Sequence, residues 1–125
     1  RKQGPIRMMA FALGADEALV TDVADYPPLP EQPELDATAE EIAIGEELYA
    51  AACRSCHGGE AVARFGGSVP DLRYANAETH ATWHAIVVGG SRSANGMPSI
   101  KIPLEESEAI RNYVLSRSEE IRAAQ

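Results

Sequence analysis

Cys53, Cys56 and His57, in the run CRSCHGGE (53–60), are the residues of this chain whose types and spacing point most directly to chemistry. The two cysteines are the only ones present, they stand three apart, and a histidine directly follows the second. Three chemistries suit such a group: a disulfide or redox thiol pair, half of a zinc site, or a covalent anchor for haem. A redox Cys-x-x-Cys works at the N-terminus of a helix that follows a strand, where the dipole lowers the thiol pKa. Here the pair falls at the C-terminal end of an expected helix, with no βαβ pattern around it. A structural zinc domain of the Cys2His2 type would add His80 and His84, which share a helix face in HATWH. The gap from Cys56 to His80 exceeds ordinary finger spacing, and zinc leaves His57 and Met97 without a task.

Haem uses all of these residues except the later histidines. In Cys-x-x-Cys-His each thiol adds to one vinyl group, and the adjoining histidine is carried beneath the porphyrin as the proximal iron ligand. Met97, in the polar loop NGMPS, offers a soft thioether for the opposite face, where Met raises the reduction potential. Met8 and Met9 lie in an apolar stretch, where packing accounts for them. A ligating histidine needs an acceptor for its other ring nitrogen. The segment VPDL (69–72) reads as a turn, and the carbonyl of Pro70 is its candidate acceptor.

The elements that must position these groups follow from pattern. Thr38 and Glu41 have the form of a capping box. The helix they open carries Ile42, Gly45, Tyr49 and Ala52 on one face, so Gly45 marks a close helix crossing and Tyr113 is a candidate to pack there. A second helix is expected from Asn76 as N-cap to Gly89–Gly90, with Trp83, Ile86 and Val87 inward. A last helix starts near Pro103, with Glu105 and Glu106 in its first turn and Ile110, Tyr113, Val114 and Ile121 as its buried stripe. Upstream, PIRMMAFALG (5–14) reads as a short strand apolar on both faces. DYPPLPEQPELD (25–36) holds four of the eight prolines among acids and reads as a semi-stiff connector.

The chain has 125 residues and a net charge of −8, so one domain is expected and nucleic acid is excluded as a partner. Between Met8 and Cys53 there are 11 acidic residues and no Lys or Arg. A solvated surface explains this plainly; steering of a basic partner is the functional alternative. No apolar run is long enough for a transmembrane helix. No signal peptide is visible, so a mature or excised fragment is expected.

GEELYAAACRSCHG, VPDL, NGMPS and AIRNYVLSR together resemble a class I monohaem cytochrome c domain over residues 38 to about 122. The resemblance implies an all-α fold of three to four helices around one covalent haem c. It implies attachment at Cys53 and Cys56, axial ligation by His57 and Met97, and Pro70 as the histidine's acceptor. A narrower likeness, through RMMAFALG, the Pro-rich linker, VPDLRYANAETHATWHAIVVGG and GMPSIK, is to the C-terminal end of type II quinohaemoprotein alcohol dehydrogenases. It implies that residues 1–22 are the remnant of a preceding propeller domain, 23–37 an acidic linker and 38–125 the cytochrome domain. PQQ and calcium would belong to that propeller domain, which would donate single electrons. A soluble cytochrome or copper protein would accept them in the bacterial periplasm. The chain alone would be an electron carrier rather than an enzyme. Arg73 is expected to meet a haem propionate, and Tyr74 and Trp83 to line the pocket or offer OH or NH to the propionates. A free-standing monohaem cytochrome c and a haem-based ligand sensor remain as alternatives.

Overall fold

The computed structural model describes residues 12–14, 26–63 and 67–125. The strand expected over 5–14 lies outside these residues, apart from its last three. Among the described residues all regular structure is helical: α1 (Ala39–Ala52), α2 (Arg54–His57), α3 (Ala77–Ala81), α4 (Trp83–Val87) and α5 (Leu104–Ala124). Short 3₁₀ turns occur at Gly59–Ala61, Leu72–Tyr74 and Ser93–Asn95.

α1 starts where its capping box requires. The Thr38 hydroxyl accepts from the Glu41 amide at 3.2 Å, and the Glu41 carboxylate accepts from the Thr38 amide at 2.7 Å. α1 packs across α5 with Gly45 at the contact, where any Cβ would collide with the carbonyl of Ala109. One turn on, the rings of Tyr49 and Tyr113 meet at 5.2 Å with a 48° tilt. Ile110, Val114, Trp83, Val87 and Ala61 complete the buried cluster around this pair.

Two expectations about the helices are corrected. The helix capped by Asn76, whose Oδ1 accepts from the Thr79 amide at 2.9 Å, is not continuous. It breaks at Thr82 (φ −102°, ψ 13°), whose hydroxyl donates to the Glu78 carbonyl at 3.0 Å. A hydroxyl bonded to the preceding turn competes with the backbone ladder, and the chain restarts as α4 at Trp83. On α5, Ile110, Tyr113 and Val114 are buried as expected, but Ile121 is only half-buried. The buried run continues instead through Leu115 and Ser118. The Ser118 hydroxyl donates to the Arg73 carbonyl at 2.7 Å, because this part of α5 faces the polar backbone of the 72–74 turn.

Residues 26–37 run extended along the same turn and the end of α5. Gln32 donates to the carbonyls of Ala75 (2.7 Å) and Arg73 (3.0 Å) and accepts from Arg122 at 3.1 Å. The Ala77 amide donates to the Glu31 carbonyl at 2.9 Å, and Tyr26 stacks on Tyr74 at 5.6 Å. Among the described residues no helix is long and apolar enough to cross a membrane.

Candidate haem-binding site

Cys53 ends α1, its amide bonded to the Tyr49 carbonyl at 2.8 Å, and it begins the single turn of α2. One helical turn, closed by the His57 amide on the Cys53 carbonyl at 2.9 Å, brings Cys53, Cys56 and His57 together. Both cysteines are free thiols, Cys53 half-buried and Cys56 exposed, so the pair forms no disulfide. Burial, with the nearby Cys56 second, pushes the Cys53 thiol up to about 11 and keeps it neutral.

His57 is 7% exposed, and its Nδ1 lies 3.2 Å from the Pro70 carbonyl. A carbonyl only accepts, so Nδ1 carries the proton and Nε2 keeps a lone pair for a metal. Two features hold the turn that delivers this ring. Gly58 adopts φ +78°, and a Cβ there would collide with the Val62 carbonyl. The Tyr49 hydroxyl donates to the Gly58 carbonyl at 2.8 Å, and burial pushes its pKa upward. The sequence reading gave Tyr49 a packing role only; its position one helical turn before Cys53 is the signal that tied it to the attachment segment.

Cys53, His57, Pro70, Tyr74, Trp83 and Met97 line one cleft, with Leu72, Ile86 and Val87 forming apolar wall. Met97 arrives on a turn closed by its own amide on the Arg92 carbonyl at 3.3 Å, with Gly96 at φ +93°. The turn is fastened to α4 by the Ile100 amide on Val87 (2.8 Å) and the Ser99 hydroxyl on Val88 (2.6 Å). A neutral imidazole, a thioether and the Cys53 thiol line the cleft, and the Cys56 thiol is exposed on the same helical turn, outside the lining; this donor set fits a covalently held haem.

Tyr74 and Trp83 line the cleft, as expected, and the other candidate residues lie as follows. Arg73 does not line the cleft. Its Nε and Nη2 fork the buried Asp71 carboxylate at 2.9 and 2.6 Å, and its guanidinium stands near the faces of Tyr26 and Tyr74. Trp83 lines the cleft, but its NH is spent on the Ser107 carbonyl at 3.0 Å. The zinc set is not assembled: among the described residues no three His, Cys, Asp or Glu side chains are placed to hold a metal. His84 turns to α5, its Nδ1 2.9 Å from the Ser107 hydroxyl and its Nε2 3.2 Å from Glu108. His80 is buried flat against Trp83, ring centroids 5.7 Å apart, with neither nitrogen hydrogen-bonded. Burial, with the Arg111 charge second, lowers its pKa to about 4.

The chain is similar to several known proteins. The family described as cytochrome c oxidase, cbb3-type, subunit III, matches residues 40–114. The 1-butanol dehydrogenase (cytochrome c) of Thauera butanivorans is 33% identical over 90 residues, which is 70% of this chain and 13% of that protein. The lupanine 17-hydroxylase (cytochrome c) of a Pseudomonas species is 31% identical over 121 residues, 94% of this chain and 17% of that protein. The solved quinohemoprotein alcohol dehydrogenase ADHIIG from Pseudomonas putida HK5 superposes with a TM-score of 0.70 at 33% identity, over 86% of this chain and 16% of that one. The chain therefore spans a small part of the length of each of these proteins. With the family matching 75 of its 125 residues (40–114) and a helical fold that superposes on a solved relative, this chain belongs to the cbb3-type cytochrome c family and is a class I cytochrome c domain.

Proposed function

We propose that the chain is the electron-transfer domain of a PQQ-dependent quinohaemoprotein dehydrogenase, carrying one covalent haem c. The observation that carries the reading is the His57–Pro70 hydrogen bond at 3.2 Å, in a cleft that Cys53 and Met97 also line. When bound, haem supplies a one-electron ferric–ferrous couple. The chain's own residues do the rest. Cys53 and Cys56 tether, His57 presents Nε2, Met97 presents its sulfur, and Leu72, Trp83, Ile86 and Val87 keep water from the metal's surroundings. Tyr74 closes one wall beside the linker. Exposed Cys56 puts the attachment edge at the surface, where a redox partner can approach.

In this reading residues 1–22 belong to a preceding propeller domain that holds PQQ and calcium and gives up single electrons. Residues 23–37 join it to the cytochrome domain, 38–125. A soluble cytochrome or copper protein in the bacterial periplasm takes the electrons on. The names of the relatives, both of them oxidising enzymes marked as cytochrome c proteins, support the donor assignment. In this reading the alcohol-oxidising site belongs to the propeller domain and the cytochrome domain carries electrons only.

The test is export of the chain from cells equipped for thioether haem attachment. The expected product gains the mass of one haem, shows a low-spin spectrum and, when oxidised, a Met–iron charge-transfer band. Bare polypeptide overturns the reading. A haem product without that band that readily binds CO when ferrous is a ligand sensor instead.

A further inference from the structure

The cleft has a charge problem that Arg73 does not solve. It already contains one carboxylate, Asp71, whose side chain is 1% exposed and fully engaged by Arg73 at 2.6 and 2.9 Å. A haem brings two more carboxylates, its propionates, and these need cations or donors of their own. The other polar groups on the cleft wall are largely committed. Trp83 donates to Ser107, His57 Nδ1 faces Pro70, and the Asn76 Oδ1 caps α3. Arg92 also lines the cleft. Among the described residues no carboxylate lies within ion-pair distance of its guanidinium. Its main-chain carbonyl accepts from the amides of Asn95 (2.9 Å) and Met97 (3.3 Å), so the residue is the base of the turn that carries the methionine.

We propose that Arg92 is the residue that binds a haem propionate, in place of Arg73, and that this contact anchors the Met97 turn. The assignment rests on the haem reading above. A planar guanidinium suits a carboxylate bidentately, and a salt link at residue 92 restrains the loop whose far end must hold a sulfur on iron. It also places a positive charge close to the metal, which disfavours the ferric state by simple repulsion. Arg73, by contrast, neutralises Asp71 and so keeps the backbone next to the Pro70 carbonyl in place.

Two measurements on the haem-loaded chain test this. In 15N spectra of the ferrous protein at neutral pH, the Arg92 Nε–H should persist, as should that of Arg73, whose Nε is held 2.9 Å from Asp71. The exposed Arg122, near the end of α5 and outside the cleft lining, provides the exchange-broadened comparison. In the second measurement, Arg92→Gln should raise the ferric-to-ferrous ratio at a fixed ambient potential about tenfold, a fall in midpoint of about 59 mV for a one-electron couple. Arg92→Lys should restore most of the shift, and Arg122→Gln should move it far less. Arg92 is exposed and its main-chain bonds survive substitution, so the variants should fold. An Arg92 signal that exchanges like Arg122, or an Arg92→Gln shift no larger than that of Arg122→Gln, overturns the assignment. A wild-type chain that takes up no haem sinks the parent reading as well; a loaded chain that fails these readouts sinks this assignment alone.

Discussion

At the scale of single residues, a haem in the proposed site would depend on protons and lone pairs being where its iron needs them. His57 can present Nε2 only while Nδ1 is occupied, and the Pro70 carbonyl occupies it. In the proposed site Met97 would be held by its turn and by the Arg92 contact argued above, so Met97→Ala should abolish the Met–iron band and open the ferrous form to CO while leaving the thioethers intact; spectra and intact mass check both. His80 gives a second prediction. It is buried, its ring nitrogens are unpartnered, and its folded pKa of about 4 lies below the ordinary value of 6.5. Above about pH 6.5 both folded and unfolded states are neutral at this residue, and its contribution is complete. As pH falls from there toward 4, the unfolded state takes up a proton that the folded state refuses, so stability is lost over that window. His80→Phe, which keeps the stack on Trp83 and removes two orphan polar atoms, should flatten this part of the stability–pH curve without weakening the fold at pH 7. Denaturant unfolding between pH 4 and 7 is the check. That Cys53, His57 and Met97 would share one cleft was legible because the chemistry proposed for them fixes their types and spacing. The commitments of Arg73 and Trp83 were not, because a side chain's partner depends on which backbone carbonyl or buried acid the fold sets beside it.

At the scale of elements, α1 and α5 form the frame from which the attachment turn hangs. Their closest approach is at Gly45, where helix backbone meets helix backbone. Gly45→Ala would normally favour a helix. Here the added methyl must push α5 away, and the expected result is a loss of about 1 to 3 kcal/mol, measured by thermal or denaturant unfolding of the haem-loaded protein. Tyr49→Phe should cost less, about 1 kcal/mol, but it should also loosen the turn at Gly58 and broaden the haem spectrum. The Gly45 crossing and the capping box could be read from the sequence because each is a local rule with one physical cause. The break at Thr82 could not. Thr is tolerated inside helices, and the break accompanies two bonds that only the fold brings together, Thr82 to the Glu78 carbonyl and Trp83 to the Ser107 carbonyl on α5. Ile121 is half-buried for a related reason: periodicity continues to the end of α5, but the buried position there is Ser118, whose hydroxyl meets the backbone of the 72–74 turn.

At the scale of the whole molecule, charge is partitioned. The arginines 73, 111, 117 and 122 pair with acids on or near the C-terminal half, at Asp71, Glu108, Glu60, Glu120 and Glu119. On exposed α1, Glu40, Glu46 and Glu47 have no ion-pair partner among the described residues. α1 leads directly into the attachment turn, so this uncompensated charge lies along the approach to exposed Cys56. A surface of that kind raises the encounter rate with a basic partner more than it raises affinity. Electron transfer from the reduced domain to a lysine-rich redox protein should therefore slow by about tenfold or more as ionic strength rises from about 0.01 to 0.15 M, where the screening length shrinks from about 30 to 8 Å. Replacing Glu46 and Glu47 with Gln should flatten the salt dependence and leave the midpoint potential nearly unchanged, because both residues are solvated. Stopped-flow rates across a salt series test this directly. A flat profile in the unaltered domain would return the acidic stretch to the role of a solvated surface, with partner selection resting on the shape of the haem edge.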